Sequence, residues 1–221
     1  MKNKYVKPML LDDDDEVSSG KYLFMYNDTD VMNDVDAYID GPIETVDKYR
    51  HLLQYMRKME DHDKLTIWLS TPGGYAETAL QLIETMNKAK GNIVVNVVGA
   101  ASSAGSIIAL SAPQLIISDT AYMLCHAGSY GYSGKQGEVH SMIEFTNKQL
   151  INALTKAYTD FLTPDELRDL MIGKDFWFDS EEIIRRLDAR QVIWQAKYDK
   201  AQADQANAEA KPKAKVIKNK K

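Results

Sequence analysis

The segment Ile93–Val98 constrains the fold most, because it is apolar at five of its six positions. A strand with apolar residues on both faces is typical of a parallel sheet that helices cover. This segment lies between two helical patterns, at residues 75–88 and 102–110, and a further strand pattern precedes them at Leu65–Ser70. Strands that alternate with helices at this spacing predict βαβ units and an α/β fold.

Further elements are predicted on both sides of this unit from apolar periodicity and turn residues. Thr163, Pro164 and Glu166 form a helix-start pattern in which the threonine caps the helix and the glutamate completes a capping box. The predicted elements are strands at 35–40, 114–118 and 122–126, helices at 43–60 and 138–161, a helix that begins after Thr163, and a last short helix at 179–187.

The chain divides into three parts by composition. Residues 1–34 have little apolar periodicity and are expected to form an acidic arm that is flexible or depends on a partner for its structure. Residues 35–188 carry the dense strand and helix patterns of one folded domain. Residues 189–221 are rich in Ala, Gln and Lys, which predicts a helix that gives way to disorder.

Charge and composition argue against several classes of function. The net charge is −5, although the last eleven residues hold six lysines and no acid, so the rest of the chain is acidic and a poor binder of nucleic acid. No apolar run reaches the roughly 18 residues of a membrane helix, and no apolar stretch follows Met1 as in a secretory signal. We therefore expect a cytoplasmic protein without a membrane partner.

Metal and disulfide chemistry are not predicted either. The chain has one cysteine, Cys125, which excludes an internal disulfide and a zinc site built on several thiolates. The segment Asp61-His62-Asp63 is interpreted as a solvated loop, because three adjacent side chains on regular structure cannot all face one ion.

Two turns rich in small residues follow predicted strands. In the first, Gly73 and Gly74 let the backbone approach a neighbour closely and present free N–H groups. In the second, Gly99–Ser106, small residues surround Ser103 at a helix start, where the N–H of Ala104 could stabilise an oxyanion. Either turn taken alone is also compatible with ordinary close packing.

A histidine ends the strand pattern at 122–126. His126 precedes a glycine-rich loop, and a lone histidine at such a place is often structural. Its neighbour Cys125 is an alternative nucleophile, but adjacent residues on a strand point to opposite faces. We therefore interpret Cys125 as a small buried residue rather than a thiol that His126 activates.

Together these segments resemble the proteolytic subunit of Clp protease over about two thirds of the chain. Leu69–Gly74 is similar to that family's Asn-Ser-Pro-Gly-Gly loop, and Gly99–Gly105 to its Gly-x-Ala-Ala-Ser-Met-Gly turn. Ala37–Ile43 resembles its first core strand and Gly-Pro-Ile turn, Tyr122–His126 the strand that ends in its catalytic histidine, and Gly173–Trp177 the segment that holds its aspartate.

The resemblance implies a serine endopeptidase with Ser103, His126 and Asp175 as the catalytic triad and the N–H groups of Gly74 and Ala104 as the oxyanion hole. The chain order Ser, His, Asp also argues against an α/β-hydrolase, in which the acid precedes the histidine. This reaction requires no metal or organic cofactor. The implied fold is an α/β ββα-superhelix of the Clp protease/crotonase type with a protruding helix-strand handle.

The resemblance also implies partners. Members of the family cleave polypeptide substrates, form homo-oligomers of stacked, usually heptameric rings, and work with an AAA+ unfoldase. Three alternatives stay open at this point: a non-catalytic structural subunit of a mixed ring, a phage capsid-maturation protease of the same family, and a crotonase-like acyl-CoA enzyme.

Overall fold

The computed structural model describes residues 25–29, 32–129 and 131–210, and these residues form one seven-stranded sheet with six α-helices around it. The strands are β1 (Met25–Thr29), β2 (Met32–Ile39), β3 (Lys64–Thr71), β4 (Asn92–Ser102), β5 (Gln114–Ile117), β6 (Tyr122–Cys125) and β7 (Phe176–Asp179). The helices are α1 (Arg50–Lys58), α2 (Ala76–Met86), α3 (Ala104–Leu110), α4 (Gln136–Tyr158), α5 (Pro164–Met171) and α6 (Ser180–Ala210), with a 3₁₀ turn at Val46–Tyr49 before α1.

The sheet is parallel at its centre, as the sequence predicts. β2, β3 and β4 pair in parallel, whereas β1 and β7 add antiparallel edges to β2 and β6. β4 pairs with β5 along Val94–Val97 and with β6 along Ala100–Ser102. Because β4 serves two neighbours along its length, β6 lies at the carboxyl end of β4, where α3 begins.

One face of the sheet supplies the core. The side chains of β3 alternate along the strand, so that Leu65, Ile67 and Leu69 are buried and the residues between them are half-exposed. The buried residues pack in one cluster with helical residues such as Leu52 and Leu82. This alternation with period two identifies a sheet with one fully covered face. The predicted α/β fold is therefore confirmed.

Several helix boundaries differ from the sequence-based predictions, and the helix predicted at 43–60 is a 3₁₀ turn at Val46–Tyr49 followed by α1. The helix predicted to begin near residue 102 begins at Ala104, because β4 continues through the small residues to Ser102. The last helix, predicted to end at residue 187, is α6 and runs to Ala210. Its later part has no glycine or proline to stop it and is rich in good helix formers. Asp179 caps this helix, since the N–H of Glu182 donates to its Oδ1 at 2.9 Å.

The structure also differs from the predictions at a short strand and in the predicted arm. Strand β7 was not predicted, because four residues give too short a pattern to recognise. Within the predicted arm, residues 25–29 form β1 and β2 begins at Met32, whereas residues 1–24, 30 and 31 lie outside the described residues. The lysine-rich segment 211–221 also lies outside them. None of the described helices has the length and apolar character needed to cross a membrane.

The segment predicted as a solvated loop contains a buried carboxylate. Asp63 is 5% exposed and accepts hydrogen bonds from the N–H of Glu60 at 2.8 Å and from Asn33 Nδ2 at 2.9 Å. The prediction was therefore wrong for this residue, because the carboxylate closes the turn before β3 and ties it to β2. The described residues contain no cluster of His, Cys, Asp or Glu that could hold a metal ion.

An ion pair joins the start of α5 to α6. The capping box predicted at Thr163 is present, with Glu166 accepting from the N–H of Thr163 at 2.8 Å. Arg186 also donates to both carboxylate oxygens of Glu166 at 2.8 Å, and its guanidinium lies 4.4 Å from the centre of the Phe178 ring. Hydrogen bonding by Arg186 lowers the pKa of Glu166 to about 2. A bidentate, largely buried pair of this kind fixes both helices.

We predict that Glu166→Gln destabilises the protein in a pH-dependent way. The unfolded glutamate has a pKa of about 4.3, so the pair stabilises the fold above that pH and loses its contribution as pH falls toward 2. The free energy of unfolding at pH 7 should fall by about 2 kcal/mol, with the difference from wild type shrinking in acid. Denaturant unfolding at several pH values measures this difference.

The matched control is Glu84→Gln, which removes an exposed ion pair with Lys88. Exposed pairs contribute little, so this variant should lose less than about 0.5 kcal/mol at any pH. An equal loss for Glu166→Gln at pH 7 and in acid would contradict the assignment of its effect to the ion pair.

Candidate active site

Ser103 occupies a strained turn between β4 and α3. Its backbone has φ 56° and ψ −120°, and among the described non-glycine residues only Asp160 also has a positive φ. A residue with a Cβ adopts this region at a cost, so the surrounding structure must hold it there. The N–H of Ser103 donates to the carbonyl of Leu124 at 2.9 Å, which continues the pairing of β4 with β6.

The turn holds because its neighbours are small. A Cβ on Gly73 would lie 2.6 Å from the Cβ of Ser103, and a Cβ on Gly105 would lie 2.4 Å from Cγ2 of Thr71. Both distances are shorter than a contact between carbon atoms allows. The glycines of the two predicted turns are therefore required by close packing of one turn against the other, with the serine at their contact.

Two backbone N–H groups are available beside Ser103. Gly74 forms a parallel bridge with Ile43, in which Ile43 N donates to Gly73 O at 2.8 Å and Tyr75 N donates to Ile43 O at 2.9 Å. In this pattern the N–H of Gly74 itself points away from Ile43. Ala104 is the first residue of α3, so its N–H has no acceptor within the helix. Gly74, Ala104 and Ser103 line the same cleft.

His126 directly follows β6 and lines this cleft as well. Its Nε2 atom is buried and has no hydrogen-bond partner. A buried polar atom without a partner is uncommon and costs free energy, which identifies it as a candidate functional group. The structure thus brings Ser103 and His126 to one cleft, but no hydrogen bond joins their side chains.

Asp175 lies outside the residues that line the cleft. It is exposed, it directly precedes β7, and its carboxylate forms no hydrogen bond with His126. The register of β6 with β7 nevertheless brings it near. The last pair of this antiparallel ladder is Cys125 with Phe176, so one further step would set His126 opposite Asp175. Opposite residues in such a ladder project to the same face, with Cβ atoms about 5 Å apart.

The cleft has a volume of about 1160 Å³, enough for several residues of an extended peptide. Its interior is mainly apolar, with Ile107, Leu150 and Leu154 among the lining residues. The acidic side chains among its described lining residues are those of Glu44 and Glu77, and these residues include no lysine or arginine. This composition favours apolar groups in the cleft and disfavours acidic ones.

Cys125 is not a nucleophile in this arrangement. Its side chain has no exposed surface, and burial raises the pKa of its thiol to about 12. A thiol with such a pKa is protonated at neutral pH and reacts slowly. This agrees with the interpretation of Cys125 from the sequence as a small buried residue.

Two buried hydroxyl residues beside the site did not stand out in the sequence. Ser106 lies one turn after Ser103 in α3, and Tyr158 ends α4; both have no exposed surface, and their hydroxyl oxygens are 2.7 Å apart. In the sequence, Ser106 is one of the small residues of the second turn, and Tyr158 lies within the helix predicted at 138–161. The available signal was a hydroxyl residue, Ser106, one turn after Ser103 in an otherwise apolar helix.

Comparison with known proteins identifies the family. The family model for Clp protease matches residues 27–186, which is well over half of the chain. Comparison with curated proteins gives no match. The matched segment contains the cleft, both glycine-rich turns and all the residues discussed above. By this match and by its fold, the chain belongs to the Clp protease family, a family of peptidases.

Proposed function

We propose that this chain is a serine endopeptidase in which Ser103 is the nucleophile, His126 the general base and Asp175 the residue that orients His126. The observation that carries this proposal is the strained backbone of Ser103 in a cleft that also contains the buried, unpartnered Nε2 of His126. A serine on a sharp strand-to-helix turn, exposed to a base in a cleft, is the arrangement that nucleophilic catalysis needs.

The proposed reaction begins when Ser103 Oγ attacks a peptide carbonyl while His126 Nε2 takes the hydroxyl proton. The imidazolium then donates this proton to the leaving amine, so that an acyl-enzyme remains on Ser103. Water repeats the sequence, with His126 again as base, and releases the carboxyl product. Every proton in this scheme is moved by a side chain of the triad, so it requires no metal or organic cofactor.

The N–H groups of Gly74 and Ala104 are proposed as the oxyanion hole. Both residues line the cleft beside Ser103, and among the described residues no backbone carbonyl outside regular helices and strands accepts from either N–H. Fixed backbone donors of this kind stabilise the charge that develops on the carbonyl oxygen, and loss of one typically costs about 100-fold in rate. Gly74 has no substitute here, because a Cβ at this position would lie 2.1 Å from the Ile43 carbonyl oxygen.

In this proposal the pairing of β6 with β7 extends by one residue pair, which brings Asp175 into the site. That step sets Asp175 opposite His126, where the carboxylate can accept from Nδ1–H and stabilise the imidazolium. Catalytic hydrogen bonds are often long or absent without substrate and form in the complex. A non-catalytic subunit is the second candidate, since the carboxylate and imidazole are not joined in this structure.

We further propose that the chain assembles into stacked rings that enclose the clefts, with polypeptides as substrates and an AAA+ unfoldase as a partner in the cytoplasm. Helix α4 supports the assembly, because Met142 and Ile151 are about half exposed on it and Phe145 is 61% exposed. Exposed apolar residues on one helix favour its burial against another copy. The family usually forms heptamers, and we propose the same ring size here.

The first prediction for this site concerns the nucleophile. A fluorophosphonate probe should label the wild-type protein and fail to label Ser103→Ala, because the probe reacts only with an activated hydroxyl. The matched control is Ser102→Ala, which removes the adjacent, buried hydroxyl and should leave labelling intact. Equal labelling of wild type and Ser103→Ala, measured by intact mass, would exclude Ser103 as the nucleophile.

The second prediction concerns the acid. Asp175→Asn should lower kcat for a fluorogenic peptide by about 100-fold or more, with little change in KM, because the imidazole loses its orienting carboxylate. Asp169→Asn is the control, since this nearby exposed carboxylate pairs with Lys174 and faces no catalytic group. Full activity of Asp175→Asn would show that catalysis does not need this carboxylate and would exclude Asp175 from the triad.

The third prediction concerns assembly. Native mass spectrometry should find the wild type as whole rings of identical copies, and Met142→Glu should yield smaller assemblies because a carboxylate would be buried at the contact. Lys148→Glu changes an exposed, already polar position on the same helix and should keep the wild-type assembly. A wild-type monomer at micromolar concentration would contradict the proposed rings.

A further inference from the structure

A buried pair of hydroxyl groups lies directly beneath the proposed nucleophile. Ser106 Oγ is 2.7 Å from Tyr158 Oη and also 2.7 Å from the carbonyl oxygen of Ser103. Tyr158 is brought there by the last turn of α4, 52 residues further along the chain. Neither side chain has exposed surface, so water does not compete for these bonds.

The direction of each hydrogen bond follows from counting protons. The Ser103 carbonyl can only accept, so Ser106 uses its single hydroxyl proton to donate to it. Ser106 Oγ must then accept from Tyr158, whose hydroxyl is the donor in the bond between them. The order is therefore Tyr158 O–H to Ser106 Oγ, and Ser106 O–H to the Ser103 carbonyl.

The other side of the phenol oxygen faces the proposed base. Burial raises the pKa of Tyr158 well above its usual range, and a hydrogen bond from the peptide N–H of His126 acts against that shift. The phenol oxygen has lone pairs free to accept from this N–H because its own proton is given to Ser106. Tyr158 thus contacts the backbone of His126 directly and reaches the backbone of Ser103 through Ser106.

A simpler reading is that Ser106 makes an ordinary bond to a carbonyl three residues earlier in a helix. Such bonds are common for serine and need no further partner. Here, however, the serine hydroxyl receives a second bond from a distant tyrosine, and that tyrosine also reaches His126. An apolar pair of the same shape would fill this space without any polar group to satisfy.

We propose that Tyr158 and Ser106 are positioning residues, which together hold the backbone of Ser103 at a fixed distance from the backbone of His126. This inference rests on the proposed function of those two residues. The pair does not touch substrate. It keeps the hydroxyl and the imidazole within reach of each other by linking the start of α3 to the end of β6 through the end of α4.

The test compares Tyr158→Phe, Ser106→Ala and the double variant in peptide hydrolysis and in the rate of fluorophosphonate labelling. Each single variant should lower kcat and the labelling rate by about 10- to 100-fold with KM unchanged, because misplacement affects the attack rather than substrate binding. The double variant should be no worse than the poorer single variant, since both changes break the same chain of bonds.

The control is Ser180→Ala, which removes a buried serine hydroxyl bonded to the Asp119 carbonyl at 2.7 Å, remote from the cleft. This bond matches that of Ser106 in type and length. The control should retain wild-type kcat even where its thermal unfolding temperature falls as far as that of Ser106→Ala. Unchanged kcat in Tyr158→Phe and Ser106→Ala, or an equal loss in the control, overturns the proposal.

A second readout does not depend on activity. In protein labelled with ¹⁵N histidine, Tyr158→Phe should shift the amide signal of His126 and speed its hydrogen exchange, with the other three histidine amides unchanged. If wild type neither hydrolyses peptides nor reacts with the probe, the proposed function fails. The spectrum then tests by itself whether Tyr158 contacts the backbone of His126. An unchanged His126 amide in Tyr158→Phe shows that the link is absent.

Discussion

The tight contact between two glycine-rich turns is the constraint on which the rest of this structure depends. Gly73 lies so close to Ser103 that a Cβ on the glycine would overlap the serine side chain, and Gly105 lies equally close to Thr71. Ser103 takes up a positive φ at this contact, and a residue with a side chain stays in such a conformation only where its surroundings leave no alternative. The strain therefore marks the place where the fold presents a hydroxyl.

The long strand β4 explains how the other groups reach that hydroxyl. Its first half pairs with β5 and its end pairs with β6, so β6 ends beside the turn that carries Ser103. His126 follows β6, and the antiparallel partner β7 begins one residue after Asp175. His126 and Asp175 each flank a strand, so the register of β6 with β7 sets how close the proposed base and the proposed acid lie.

Polar groups are buried on both sides of the turn that carries Ser103. Tyr158 and Ser106 satisfy each other beneath the turn, whereas Nε2 of His126 is buried without a partner on the cleft side. An unsatisfied nitrogen is costly in the free protein, and a hydroxyl or a substrate group that reaches it recovers that cost. In the proposed mechanism this nitrogen takes the proton of Ser103, and Asp175 lies one step of strand pairing away.

The sequence determined the parallel centre of the sheet, the two glycine-rich turns, the capping box at Thr163 and the identity of Ser103 and His126 as cleft residues. These features are local. Each is visible within a few positions of the sequence, as apolar periodicity, as small residues beside one serine or as a family motif. Three features depended on distant contacts and could not be read from local pattern. Strand β7 is only four residues long, Asp63 is buried by a neighbouring strand, and Tyr158 meets Ser106 across 52 residues. Only tertiary structure decides such pairs, because their partners are chosen by packing and register and not by neighbours in the chain.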